Sequence, residues 1–510
     1  MAIPFSQVPS TLRVPLFWAE LDNSAAAGGA DKPKTLLLGQ QTAAGSAAAD
    51  TPVLVPNAIQ AAGLFGEGSQ VHRMALRYFE NDPFGEVWAI PQDDAAGTQA
   101  TANITVAGPA TSAGTVFLYV GGVRIDVPVA DEDTAAEIVT AIVARFADDD
   151  IAAVVSCTAA DGAGDTVDIT ALNDGTLGDA IDVRTNYLGV AGGEAYPDGV
   201  TVTDGVTDLE VAAITLGDDT GGATDPTLTA AIAAMGDVEY DYIVSAYNMT
   251  AELDRLETEL ADRWDAMRQV YGHCFAALRG TQGTLSTAGN LRNDAHVSIF
   301  GFDEAPTTPE EVAAAFAGAC ARSLKIDAAR PLQTLPLLGV KPTPRVDAFT
   351  ATEQDSLLFD GVACGYVAGG KLRITRAITT YQKDAFDNPD ASYLDLNTLA
   401  TLQYVLRFLK SRIESRYPRH KLVNDGTNFG AGQAVVSPST IRAELVAGYL
   451  ELEKLALVED VDAFVENLIV ERDDGDPNRV NVLYPPDLAN QLRIVATLVQ
   501  FRLQYPATAE

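Results

Sequence analysis

The chain has 510 residues, room for roughly two to four domains with cores of their own, and its 34 basic and 70 acidic residues give a formal net charge of −36. That balance excludes general charge attraction to nucleic acid or anionic membranes. No apolar run reaches the roughly 18 to 20 residues of a membrane span, and MAIPFSQVPSTLRVP lacks a charged segment ahead of an apolar one, so neither a span nor a signal peptide is expected.

RVPLFWAELDNS, Arg13 to Ser24, places Leu16, Phe17 and Trp18 just ahead of a small-residue linker, where no neighbouring segment can bury them. TLLLGQ then reads as a buried strand, a helix is expected near Gln70 to Phe79, and EVWAI, Glu86 to Ile90, reads as a further strand. At Gln92 the composition turns to Ala, Thr, Gly, Asp and Val. Strand-like runs follow at Ala102 to Ala107, Val116 to Val120, Val123 to Val129 and Thr166 to Ala171. DTAAEIVTAIVARF reads as one helix, with Thr134 and Glu137 as a capping box and Ile138, Ile142 and Phe146 on one face. Between Asp93 and Asp225 there are 24 acidic and three basic residues, so this mainly β insertion should face solvent.

Alternation of helix and strand then resumes. A helix is expected from Asp225-Pro226, YDYIVSA is a strand, and Met249 to Arg268 is an amphipathic helix with Leu253, Leu256, Leu260, Trp264 and Met267 on one face. GHCFAAL and HVSIF are strands, and Thr308, Pro309 and Glu311 open another helix with a capping box. A second unit begins near Leu335, with a strand near Lys371 to Ile378, a helix striped by Leu396, Leu399, Leu402, Leu406, Leu409 and Ile413, and a second helix after Ser437. Lys371 to Lys421 holds ten basic and five acidic residues, the one positive island. The chain closes on QLRIVATLVQFRLQY, apolar on both faces if extended, a strand that needs neighbours on both sides.

The fold class is therefore multidomain α/β (α+β): two α/β core units, an inserted mainly β outer domain, and extended strand arms at both ends. The boundaries drawn are 1–31 for the first arm and linker, 32–92 with 206–334 for the first unit, 93–205 for the insertion, 335–484 for the second unit and 485–510 for the last arm.

No constellation of catalytic, cofactor-binding or metal-binding residues emerges. His72, His273, His296 and His420 lack HxH or HxxxH spacing, and Cys157, Cys274, Cys320 and Cys364 stand singly with no CxxC pair. GQQTAAGS has five residues between its glycines and no Lys before Ser46, which rules against a phosphate loop, and GLFGEGS follows no clear strand. DDGDPN, Asp473 to Asn478, lacks the terminal Glu of a calcium loop.

A terminal strand that cannot be buried at home can be buried in a neighbour by strand addition. RVPLFWAELDNSAA, TLLLGQ, AGLFGEGSQVHRM and FGEVWAIP together resemble the sheath proteins of contractile phage tails, close to the Mu-like branch. The resemblance implies a non-enzymatic subunit of a virion tail. Such subunits stack as six-membered rings around a tail tube, between baseplate and terminator proteins, without nucleic acid or membrane insertion, and contract to drive the tube through the host envelope. It also implies exchanged arms. Here these would be Arg13 to Leu21, with Val14, Leu16, Phe17, Trp18 and Leu21, and Leu492 to Leu503, with Ile494, Val495, Leu498, Val499 and Phe501; Ala25 to Asp31 would be the hinge. Arg407, Lys410, Arg412, Arg416 and Arg419 are the candidates for tube contact, and the insertion would be an outer decoration dispensable for contraction. An α/β enzyme is the alternative, supported only by the alternating units.

Overall fold

In β1 (Lys34–Gln40), Leu36, Leu37 and Leu38 are all fully buried although successive side chains point to opposite faces. Such a strand belongs inside a sheet covered on both sides. The structure, a computed structural model, describes residues 32–204, 221–430 and 432–503. After β1 come the short edge strand β2 (Val53–Val55), α1 (Ala58–Phe65), α2 (Gln70–Asn81) and β3 (Glu86–Gln92), which pairs with β1 in parallel over its whole length. GLFGEGS joins the two helices: Gly66 and Gly68 have φ of +82° and +71°, and the Ser69 hydroxyl accepts from the His72 amide to start α2.

The insertion leaves at the end of β3. It contains β4 (Gln99–Ala107), β5 (Gly114–Val120), β6 (Val123–Val129), α3 (Ala135–Phe146), a one-turn α4 (Asp149–Ala152), β7 (Cys157–Asp161), β8 (Thr166–Asp174), β9 (Val183–Thr185) and β10 (Thr201–Asp204). Two antiparallel sheets, β10-β4-β8-β7 and β6-β5-β9, share one core with α3, including Ile104, Val127, Ile138, Ile142, Phe146 and Val167. The capping box of Thr134 and Glu137 forms as expected. β7, β9 and β10 were not anticipated: CTAAD, VRT and TVTD are short and poor in large apolar residues.

The body resumes with α5 (Thr229–Met235), β11 (Tyr242–Ser245), α6 (Thr250–Trp264), β12 (His273–Arg279), α7 (Gln282–Asn290), β13 (Val297–Phe302), α8 (Pro309–Leu324), α9 (Ala351–Phe359), β14 (Ala363–Ala368) and β15 (Lys371–Arg376). One eight-stranded sheet runs β15-β14-β13-β12-β11-β1-β3-β2; its six inner strands are parallel and its two edge strands antiparallel.

Three details depart from the sequence reading. α6 stops at Trp264, and Met267 is 93% exposed and so is not part of its buried face. Glu311 makes no capping bond to the backbone of α8: its carboxylate faces Arg73 and Arg77 of α2, at 2.8 and 2.7 Å, in a buried ion-pair cluster, and keeps only a 3.3 Å bond from the Thr308 hydroxyl. The Pro-marked segment at 335 is no domain boundary. Thr334 and Leu337 amides donate to Ile374 and Leu372, the Ile374 amide donates to Leu335, and these bonds blunt the β15 edge of the same sheet. Leu337, Val340, Leu372, Ile374 and Ile378 accordingly belong to the body core.

The distal part comprises α10 (Leu396–Arg416), β16 (Lys421–Leu422), β17 (Val435–Val436), α11 (Pro438–Lys454), α12 (Val461–Asn467) and the hairpin β18 (Ile469–Arg472) and β19 (Val480–Leu483). Its separate, smaller core holds Val405, Ile441, Leu445, Tyr449, Leu452 and Phe464, with the Tyr449 and Phe464 rings stacked 3.8 Å apart.

Strand polarity orders these parts. The insertion touches residues at the carboxy-terminal ends of the parallel strands, Gln40 of β1 and Arg279 of β12. The distal part touches their amino-terminal ends, where Arg407 of α10 pairs with Glu239 and Asp241 just before β11. Insertion and distal part thus lie at opposite ends of the body sheet.

Candidate assembly surfaces

An open sheet in which β1 is flanked by β3 on one side and β11 on the other has its ligand crevice at the carboxy-terminal ends of β1 and β11. Here that crevice is filled by the insertion. The Gln40 side-chain amide donates to Asp94 Oδ1 and the Asp174 carbonyl, both at 2.8 Å, and Asn173 donates to the Gln41 carbonyl at 2.9 Å. Leu177, 6% exposed, packs into the body core, and Arg279 donates to the Ala180 carbonyl at 2.9 Å and the Thr307 carbonyl at 2.8 Å. The segment 173–181 is therefore a plug where an enzyme of this topology would hold substrate.

Three of the four histidines are buried or partly buried within the fold, and His420 is exposed. Nδ1 of His72 accepts from the Gly68 amide at 3.1 Å, and burial, with Arg73 beside it, pushes its pKa down to about 4. His273 Nε2 bonds Ser298 Oγ at 2.8 Å, and burial takes it well below the usual value. His296 stacks on Trp264 at 4.9 Å and is likewise pushed down to about 4. Burial raises the thiols, Cys157 and Cys364 to about 12, the reverse of an activated nucleophile. Among the described residues no group of three or more His, Cys, Asp or Glu could hold a metal ion, and no helix is long and apolar enough to cross a membrane.

What remains exposed and unusual is apolar backbone at the carboxy-terminal end. Residues 489–502 carry neither helix nor strand. Exposure is 81% at Ile494, 74% at Val495, 85% at Leu498, 76% at Val499 and 80% at Phe501, so both faces of the alternating pattern are bare. The segment is not the strand its sequence suggests, because a strand needs a ladder partner and it has none within the described residues of its own chain. The other proposed arm, with Val14, Leu16, Phe17, Trp18 and Leu21, and the hinge Ala25 to Asp31 lie outside the described residues.

The distal part also carries a surface that the sequence reading missed. Among the described residues β18 and β19 pair only with each other, and a two-stranded ribbon is marginal on its own. Ile469 stands opposite Leu483, 50% and 58% exposed, an uncovered apolar pair. DDGDPN is its turn, where Asp473 accepts from the Gly475 and Asp476 amides; the flanking IVER and NVL were too short to stand out.

The positive island is largely spent within the chain. Arg412, only 8% exposed, binds Glu444 and, at 2.7 Å, Glu451; Arg416 binds Glu444 at 2.5 Å, and both of Arg407's acidic partners are within 2.6 Å. Arg412 and Arg407 are thereby corrected from tube-contact candidates to internal ties. Lys410 and Arg419 are exposed, and Arg416 is half-exposed.

The family model for the phage tail sheath protein central domain matches residues 221–380, and that for the phage tail sheath C-terminal domain matches residues 388–502. The Mu-like prophage FluMu tail sheath protein of Haemophilus influenzae is 39% identical over 507 residues, covering 99% of this chain and 100% of its own. Among solved structures, the sheath tail protein of Desulfitobacterium hafniense aligns at 12% identity with a TM-score of 0.48, covering 94% of this chain and 97% of its own. That of Listeria innocua aligns at 12% and 0.47, covering 90% and 93%. The two family matches, and identity running the length of both chains, lead to one assignment: the chain belongs to the phage tail sheath proteins, in their Mu-like branch, and is a structural tail subunit as they are.

Proposed function

We propose that the chain polymerises into stacked six-membered rings around a tail tube, linked by exchange of its terminal arms, and that contraction of this sheath drives the tube through the host envelope. The observation that carries this reading is the bare C-terminal arm, together with a two-stranded ribbon that has no further strand along its edges among the described residues. Twelve residues from Leu492 to Leu503 span about 40 Å when extended, enough to reach another subunit. An arm laid along β18 or β19 of a neighbour would complete a sheet and cover Ile469 and Leu483.

The energetics favour arms as the permanent links. A donated strand with on the order of eight ladder bonds, at roughly 1 kcal/mol net each, outlasts surface ion pairs worth about 0 to 1 kcal/mol that must break and re-form as subunits move. The distal part, opposite the insertion, is the end we assign to the tube, with Lys410, Arg416 and Arg419 as contacts. The acidic insertion faces outward, and baseplate and terminator proteins close the two ends of the polymer.

Negative-stain microscopy of the full chain beside a variant lacking residues 1–24 tests the proposal. Striated tubes or stacked rings from the full chain, and soluble monomers from the truncated one, are the expected pair. Identical small particles from both, with purified tubes present as template, would rule out arm-driven assembly.

A further inference from the structure

The C-terminal arm leaves the molecule from a fixed point. The Leu492 carbonyl accepts from Gln333 Nε2 at 3.3 Å. The next side chain, Arg493, is 13% exposed and donates to Asp395 Oδ1 at 2.9 Å, Asn397 Oδ1 at 3.2 Å and Gln333 Oε1 at 3.4 Å. One residue further on, Ile494 is 81% exposed. Order and exposure thus meet within a single peptide unit.

The partners of Arg493 are themselves held. Asp395, just before α10, receives both Nε and Nη2 of Arg376, at 2.9 and 2.7 Å, from the last residue of β15. Asn397 is fully buried and donates to the Ala328 and Arg330 carbonyls at 2.9 and 2.8 Å. One carboxylate therefore ties the arm's guanidinium to that of the body sheet, and the tie bypasses the small distal core. The planar guanidinium fork fixes direction as well as distance, which a Lys ammonium would not.

We propose that Arg493 is the positioning residue of the C-terminal arm: its bond to Asp395 sets the direction in which the arm leaves and carries tension from the arm through Arg376 into the eight-stranded sheet. This rests on the reading of the arm as a link between subunits. A subunit pulled by its arm would then be loaded along its largest core, and the hairpin and helices of the distal part would stay free to receive a neighbour's strand.

Two measurements on the full chain test it. All four native cysteines are buried, so nitroxides at Val499→Cys and at the exposed Asp355→Cys report the distance from arm to body in the monomer. Arg493→Met and Asp395→Asn are expected to broaden that distribution at least twofold, with Arg493→Lys recovering part of the sharpness. Polymers of Arg493→Met should break under shear to lengths at least threefold shorter than those of the full chain. Arg493→Lys serves as the second variant if Arg493→Met fails to fold. Unchanged distances and unchanged shear lengths in Arg493→Met would overturn the proposal, provided a chain lacking residues 494–510 cannot polymerise. If that shortened chain polymerises normally, the arm reading itself falls and with it the load path, while the monomer distances still decide whether Arg493 fixes the arm.

Discussion

Replacing Leu177 by Ala asks whether the insertion is a decoration or a structural part of the body. The side chain comes from the insertion but is buried in the body core at 6% exposure. Removing a buried Leu down to Cβ costs about 2 to 5 kcal/mol, according to how far the site collapses; about 3 kcal/mol is reasonable beneath a plug held from both sides. Asn173→Ala adds to this by stripping hydrogen bonds from the Gln41 carbonyl and Asp94, both at 2.9 Å, at about 1 kcal/mol each or more where the acceptor stays dry.

If insertion and body unfold together, Leu177→Ala lowers a single calorimetric transition by about 3 to 4 °C, and the full chain shows no earlier melting of the insertion alone. Deleting residues 93–204 would then take Asp94 and Asp174 from Gln40, Asn173 from Gln41 and the Ala180 carbonyl from Arg279, and the shortened chain should melt lower and polymerise poorly. Two separate transitions, with Leu177→Ala moving only the one that vanishes on deletion, would refute the reasoning and restore the outer domain as a dispensable decoration.

Other outcomes follow from the same geometry. Charge reversal at Lys410 and Arg419, both exposed, should reduce co-sedimentation with purified tubes without lowering the melting temperature. Arg412→Glu should instead cost about 3 to 5 kcal/mol by leaving Glu444 buried beside a like charge, seen as early melting of the distal part. Gly68→Ala, at φ +71° with its Cβ 2.4 Å from the Val155 carbonyl, should loosen the seat of the insertion and lower the melting temperature. His72 and His296 are pushed down to about 4, so the stability they contribute is present above pH 6.5 and is lost as pH falls toward about 4; His273, well below its usual value, acts in the same sense. Asp294, raised to about 7 by burial, acts in the opposite sense: its contribution is present below 3.8 and lost as pH rises through 7. Asp294→Asn should therefore raise the melting temperature more at pH 8 than at pH 5, and an equal shift at both would contradict the assignment.

Much of this architecture is legible in sequence because burial on both faces leaves an unambiguous mark. TLLLGQ, YIVS, HCFAALR and VSIFGF are near-continuous apolar runs, and each is an inner parallel strand. What stayed hidden depends on long-range partners. Glu311 reads as a helix cap until Arg73 and Arg77 arrive from α2. Arg412 and Arg416 read as a free positive face until Glu444, some thirty positions on, is brought against them by α11. The plug could not be seen at all: NDGTLGDAI carries a single large apolar residue ahead of Ile181, and its weight comes from where the fold sets it down.

The same dependence explains why so acidic a chain can build a polymer. The charge surplus is concentrated in the insertion, at the carboxy-terminal ends of the sheet, whereas the arm, the open ribbon and the exposed basic side chains belong to the distal part at the opposite ends. Like charges at a polymer's rim repel over only about 8 to 10 Å at physiological salt. In the proposed polymer, repulsion among insertions would therefore limit sideways association without reaching the distal surfaces that we assign to subunit contacts. Moving negative charge to the distal part, with Lys410→Glu and Arg419→Glu, should make polymer length strongly dependent on salt, whereas neutralising Asp148, Asp149 and Asp150 of the insertion should leave length unchanged and promote bundling of finished polymers. Shortening by the insertion changes, with no effect from the distal ones, would reverse this division of labour.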